Sequence, residues 1–124
     1  NMTARMVAAV EHPLIDALGH PTGRKIEKRH PYDVDMEQVI AAAAKAGTMI
    51  EINASPARRD LNDVHARAAA EAGVRILVNS DAHSIAELDL RRYGIATARR
   101  AWLTADQIAN TRSWKAFQKL RKKR

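Results

Sequence analysis

Cysteine is absent from all 124 residues, which excludes a disulfide framework, a thiolate zinc site and a cysteine nucleophile. Any metal ion must be held by histidine and carboxylate. Aromatic residues make up only 4% of the chain, so no base-stacking platform is evident. No apolar run approaches the roughly 18 residues of a membrane span, and no basic-then-apolar N-terminus suggests secretion. A soluble cytoplasmic protein with no membrane partner is the expectation. Neither a Gly-x-Gly-x-x-Gly pattern nor a P-loop occurs, which ranks a nucleotide at the switch point of a doubly wound sheet low.

What is present is 46% apolar residues, enough for one small core and a single domain over residues 1–124. Asn1 ahead of Met2 reads as an added residue and stands outside the fold argument. The net charge of +7 suits an anionic partner such as nucleic acid. Much of it sits in Arg121-Lys122-Lys123-Arg124 and in the pairs Arg91-Arg92 and Arg99-Arg100. A terminal basic run over 113–124 reads as a helix or solvated tail.

Along the chain, Thr3 to Glu11 reads as a helix stopped by Pro13. Leu14 to Gly19 is a candidate strand entering the turn His20-Pro21-Thr22-Gly23-Arg24. Residues 25–34 are a charged loop. Asp35 with Gln38 forms a capping box for a helix carrying Met36, Val39, Ile40 and Ala43 inward, ended by Gly47. Thr48 to Asn53 is a second strand. Glu51 lies inside it and needs a cation, a metal or several donors if buried; Arg58 and Arg59 of the following loop are candidate cations. Leu61, Val64, Ala68 and Ala72 give a helical stripe that leaves His65 facing solvent. Val74 to Val78 is a third strand, suited to a parallel sheet. Ser84 with Glu87 reads as a second capping box with Ile85 and Leu88 inward, 94–98 as a short strand, and Thr104 with Gln107 as a helix cap. Trp114, Phe117 and Leu120 mark a last amphipathic helix.

The chemistry concentrates at Asn79-Ser80-Asp81-Ala82-His83. An acid and an imidazole two residues apart at a strand end suit zinc, manganese or iron; equally, the aspartate caps a turn. His20, Glu51 and Asp81 recur at intervals of 31 and 30 residues, about one strand-helix unit, each at or near the C-terminal end of a predicted strand. Parallel α/β architectures bring such ends to one rim, where ligands bind. His20, Asp81 and His83 therefore make a candidate ligand and catalytic set.

Leu18-Gly19-His20-Pro21-Thr22-Gly23-Arg24, Glu51-Ile52-Asn53-Ala54, Arg58-Arg59-Asp60-Leu61, Ser80-Asp81-Ala82-His83 and Tyr93-Gly94-Ile95-Ala96 occur in that order. Together they resemble the later part of the polymerase and histidinol phosphatase (PHP) domain, most of all the one at the C-terminus of bacterial and archaeal X-family DNA polymerases. Ala98 to Leu103 and Asn110-Thr111 fit that subgroup, and the likeness spans about residues 10–112. Arg59 stands where an apolar residue is expected and Ala101 where glycine is.

The resemblance implies an α/β fold, a distorted seven-stranded β/α barrel with up to three divalent ions at its rim. It implies metal ligands at His20, Asp81 and His83, with Glu51 close by as a ligand or its neighbour. The activity implied is a phosphoesterase, in this subgroup a 3′-to-5′ exonuclease and DNA end-processing nuclease. Arg24 and Arg58 are candidates for holding phosphate, with loop-fixing salt bridges as the alternative. The family's opening His-x-His pair is missing; the five histidines are His12, His20, His30, His65 and His83. The chain thus resembles the C-terminal half, with an unclosed barrel and an incomplete, weakly active site. Exposed strand edges lead to an expected homo-oligomer or pairing with the missing half. A stand-alone phosphatase of small phosphate esters and a non-catalytic metal- or DNA-binding accessory module are the competing readings.

Overall fold

In the computed structural model, which describes residues 1–123, three parallel strands lie side by side in chain order: β1 (Ala17–Leu18), β2 (Met49–Asn53) and β3 (Ile76–Asn79). Parallel neighbours need a crossover. The helices α2 (Met36–Ala46) and α3 (Asp63–Glu71) supply the two, α1 (Met2–Glu11) precedes β1, and α4 (Arg91–Arg100) and α5 (Trp114–Gln118) follow β3. The sheet is open, and the architecture is mixed α/β. No described helix is long and apolar enough to cross a membrane.

Side chains on a strand alternate between faces, and here the two faces have different fates. Leu18, Ile50, Ile52, Ile76 and Val78 meet Val10 of α1, Val39, Ile40 and Ala43 of α2, Ala66 and Ala69 of α3 and Ala98 of α4 in one apolar cluster. On the opposite face Ala17, Met49 and Leu77 pack beneath Phe117 and Leu120. That second face continues along each strand into Glu51, Asn53 and Asn79, so it turns from apolar to polar toward the C-terminal strand ends. Helices α1 and α2 are tied by Thr3 Oγ1, which accepts the Asp35 N–H at 2.9 Å. Gln38 therefore donates its side-chain amide to the Asp35 carboxylate at 2.8 Å instead of closing a reciprocal box. Gly47 ends α2 in the left-handed conformation, φ 74°, as expected.

Several expectations are corrected. Residues 94–98 lie inside α4 and do not form a strand: Gly94 lets this helix settle on the sheet, and a Cβ there would stand 2.6 Å from Val78 Cγ1 and 2.8 Å from Ala54 Cβ. The inward stripe of α3 is Ala66, Ala69 and Ala70, whereas Val64 is 69% exposed. His65 is half-buried with a covered Nδ1. Ile85 and Leu88 point outward around a 3₁₀ turn over Ala86–Leu90. The first strand shrinks to two residues. Arg121 and Lys122 dock and are no solvated tail: Arg121 Nε reaches Asp16 Oδ2 at 3.0 Å, and Lys122 Nζ donates to the Val10 and His12 carbonyls at 2.8 Å each. Arg124 of the basic run lies outside the described residues.

The edge of β3 is also less open than expected. Ile76 bridges to Ile108, and the Asn110 amide accepts the Val78 N–H at 3.1 Å and donates to the Val78 carbonyl at 2.7 Å. One side chain thus answers both backbone groups as a neighbouring strand does.

Two outcomes follow from this packing. Gly94→Ala destabilises by about 1–3 kcal/mol, because the added methyl overpacks against Val78 and Ala54; urea denaturation measures it. The hydrogen bond from the Gln38 side chain, followed by its backbone N–H, holds the Asp35 carboxyl below its ordinary value. Its contribution is therefore present above about pH 4 and is lost as pH falls through the depressed folded-state value. Asp35→Asn should remove that component of the acid limb of a thermal-melt series.

Candidate functional site

The rim at the C-terminal strand ends is assembled by carboxylates, backbone N–H groups and amides. Glu51, whose side chain leaves the middle of β2 on the polar face, accepts the His20 N–H through Oε1 at 2.9 Å and the Asn79 Nδ2 through Oε2 at 2.8 Å. These donors, one after β1 and one on β3, are the partners that an acid in an apolar strand required. Among the described residues no ion pair joins Glu51 to Arg58 or Arg59. Asn53, paired in register with Asn79, donates Nδ2 to Asp81 Oδ2 at 3.1 Å while its Oδ1 accepts the Ser55 N–H at 3.0 Å. The latter bond fixes which way the amide faces.

Asp81 and His83 occupy one exposed turn. His83 Nδ1 lies 2.7 Å from the Asp81 carbonyl. With Nδ1–H donating there, the lone pair is on Nε2, the arrangement usual in metal-binding histidines. The His83 N–H is held by Glu87 Oε1 at 3.2 Å. His20 and Asp81 have backbone φ of 24° and 54°, in a region costly for residues other than glycine. Such conformations gather at functional sites when their surroundings enforce them. For His20 the enforcing group is Asp60, fully buried, whose carboxylate accepts the Thr22 N–H at 3.0 Å and the Gly23 N–H at 2.9 Å. Asp60 also bridges back to Asn53, so one loop residue locks the histidine turn to the end of β2.

The donor chemistry fits a divalent ion: Asp81 keeps Oδ1 free, and His83 offers Nε2. Glu51 has both oxygens engaged and suits the role of a neighbour to the ligands. Yet among the described residues no three histidine, aspartate or glutamate side chains converge as a metal-holding group. His20 shares the rim without joining Asp81 and His83 in such a cluster. Arg24 donates Nε to the Arg58 carbonyl at 2.7 Å and Nη2 to the Arg59 carbonyl, so it staples the loop through carbonyls and not through a salt bridge. Arg58 Nη1 is buried with no hydrogen-bond partner in the structure. Asn53, Asn79 and Asp60 are the site residues that motif reading left without a role. An asparagine at the end of each of two apolar strands was the available signal.

An α/β chain with its polar rim at the ends of parallel strands is the class these features define. No family model matches it. The chain is 40% identical over 111 residues to the DNA polymerase/3′-5′ exonuclease PolX of Bacillus subtilis, covering 90% of this chain and 20% of that protein. It is 32% identical to a probable phosphatase of Thermoanaerobacter sp. strain X514 and 33% identical to one of Caldanaerobacter subterraneus, in each case over 98% of this chain. The chain spans 50% and 48% of those two proteins. With these relatives the chain resembles the PHP-type domain at the C-terminus of X-family DNA polymerases, and within it the C-terminal half.

Asp60→Ala should destabilise the protein by about 3 kcal/mol, since buried N–H groups of Thr22 and Gly23 lose a charged acceptor. Chemical denaturation gives the loss, and the His20 imidazole resonances should broaden or move in the same variant.

Proposed function

We propose that this chain is the later half of a metal-dependent phosphoesterase domain, a partial and unclosed β/α barrel. Its substrate is DNA, processed from the 3′ end as by an exonuclease, and alone it is weakly active or inactive. The observation that carries the reading is the exposed turn on which Asp81 keeps a free carboxylate oxygen and His83 a free Nε2, beside Glu51. The DNA substrate draws on the 40% identity to a protein named as a polymerase and 3′-5′ exonuclease.

Asp81 and His83 would hold the ion, zinc, manganese or iron, with His20, which stands on the same rim without meeting them in this structure, as a further candidate ligand; the remaining ligands would come from a partner, the missing N-terminal half. A divalent ion bound there supplies Lewis-acid polarisation of a phosphoryl oxygen and a water of lowered pKa. The chain's own residues do the positioning. Asn53 fixes the Asp81 carboxylate, the Asp81 carbonyl fixes the His83 tautomer, and Glu51 keeps negative potential at the rim. Arg24 and Arg58 are the candidates for holding phosphate oxygens through charge-assisted hydrogen bonds.

A phosphatase of small phosphate esters is the second reading, favoured by the alignment of probable phosphatases over 98% of the chain. A non-catalytic metal- or DNA-binding module is the third, favoured by the absence of a converged ligand group among the described residues.

Elemental analysis after equilibrium dialysis against manganese or zinc tests the site directly. Uptake should fall to background in Asp81→Ala and in His83→Ala, and Asn53→Ala should weaken it by about tenfold or more, the effect of freeing a ligand from its supporting hydrogen bond. Uptake unchanged in both ligand variants would overturn the assignment. Any turnover should favour labelled single-stranded DNA over a chromogenic phosphate monoester; the reverse preference supports the phosphatase reading. Robust metal-dependent turnover by this chain alone contradicts an incomplete site.

A further inference from the structure

Next to the rim, and sharing the 54–60 loop with it, lies a cleft of about 400 Å³ lined by Arg24, Ile26, Arg59, Tyr93, Thr97 and Arg100, with Asn62 and Asp63 on the α3 side. Three guanidinium groups face one carboxylate. Asp63 stands 3.8 Å from Arg100, whose side chain is largely exposed, so the cleft as a whole carries a net charge of +2. This volume is at the small end for ligand sites, of a size for one stretch of a flexible chain.

Arg59 is the most telling residue in it. Its backbone has φ 44°, in the left-handed region that costs a side-chain-bearing residue. Several bonds enforce that conformation: the Arg59 N–H donates to the Ser55 carbonyl at 2.9 Å, the Arg59 carbonyl accepts from Arg24, and the next residue is the buried Asp60. The result lifts the guanidinium over the Tyr93 ring, 5.7 Å from its centroid. A cation resting on an aromatic face is partly stripped of water and held in place. Among the described residues no acidic side chain forms an ion pair with this charge. Ile26 and Ala96 add apolar wall beside the arginines, the mixture of cation, ring and aliphatic surface that tracks a single strand without reading its sequence.

We propose that this cleft binds the phosphodiester backbone of single-stranded DNA and guides the strand toward the rim. The inference rests on the DNA reading of the site, and its test is independent of the metal. Anisotropy of a fluorescent oligothymidylate is measured with the 124-residue chain in EDTA over a series of salt concentrations. Arg59→Ala/Arg100→Ala is compared with Arg5→Ala/Lys115→Ala, which removes the same charge from exposed positions on α1 and α5; circular dichroism checks that both fold. The cleft pair should weaken binding about tenfold at low salt and reduce the slope of log affinity against log salt by about 1.4, two phosphate contacts at about 0.7 each. The control pair should change affinity by no more than about twofold. Equal weakening by the two pairs would show diffuse charge attraction and overturn the cleft, as would undetectable binding by the wild type at low salt. Tighter binding of a duplex through the same two arginines overturns the single-strand assignment. Because metal is chelated throughout, failure of metal uptake at Asp81 and His83 sinks the catalytic reading and leaves this result intact.

Discussion

A carboxylate set in the middle of an apolar strand has to find donors, and the way Glu51 finds them ties the ends of all three strands together. One oxygen takes the backbone of His20 beyond β1, the other the side chain of Asn79 on β3. Asn53, one step further along β2, makes the reciprocal reach to Asp81. Amide and carboxylate therefore cross between β2 and β3 in both directions. The same bonds that satisfy polar groups on a half-covered sheet face also orient the residues proposed to hold a metal. Stability and the proposed site draw on one network here.

The two faces of the sheet explain why that network sits where it does. One face is sealed by helices α1 to α4 and is apolar along its length. The other is covered over its lower end by Ala109, Phe117 of α5 and Leu120, and beyond Met49 and Leu77 the strands present Glu51, Asn53 and Asn79. Polar side chains there have each other and solvent as partners. The β3 edge is finished by a side chain, with Asn110 matching the N–H and carbonyl of Val78. An open parallel sheet thus reduces its exposed pairing groups without a fourth strand.

Much of the fold was legible locally. The α2 boundaries follow from Asp35, Lys45 and Gly47, because caps act within a turn of the residues they serve. β2 and β3 follow from short apolar runs bounded by turn residues. The failures have a common cause. In 94–98, glycine and branched residues suggested a strand, but Gly94 is small because a helix crosses the sheet there. On α3 the larger apolar residue, Val64, was assigned inward, whereas alanines fill the narrow space against the sheet and Val64 stays outside. The docked Arg121 and Lys122 depend on Asp16 and on carbonyls more than a hundred residues away, which no local pattern encodes. At the site, Asp81 and His83 were legible as a pair; the roles of Asn53, Asn79 and Asp60 were not, since each is defined by a partner from another part of the chain.

By itself, then, the sequence determined the candidate ligand chemistry: no thiolate, a strand-end acid and imidazole two residues apart, and a rhythm of about thirty residues that sends His20, Glu51 and Asp81 to one rim. It determined the Asp35 and Gly47 caps of α2 too, since a cap is read within a few residues, whereas the Ser84 box does not form and Glu87 accepts the His83 N–H instead. The tertiary structure decided which of those groups meet. It gave Glu51 to His20 and Asn79, bound Asp81 to Asn53, left Arg59 over Tyr93 in a basic cleft, and covered the edge of β3. Those pairings are set by the register of parallel strands and by helices packed across them, and register is a relation between distant segments that neither segment carries alone.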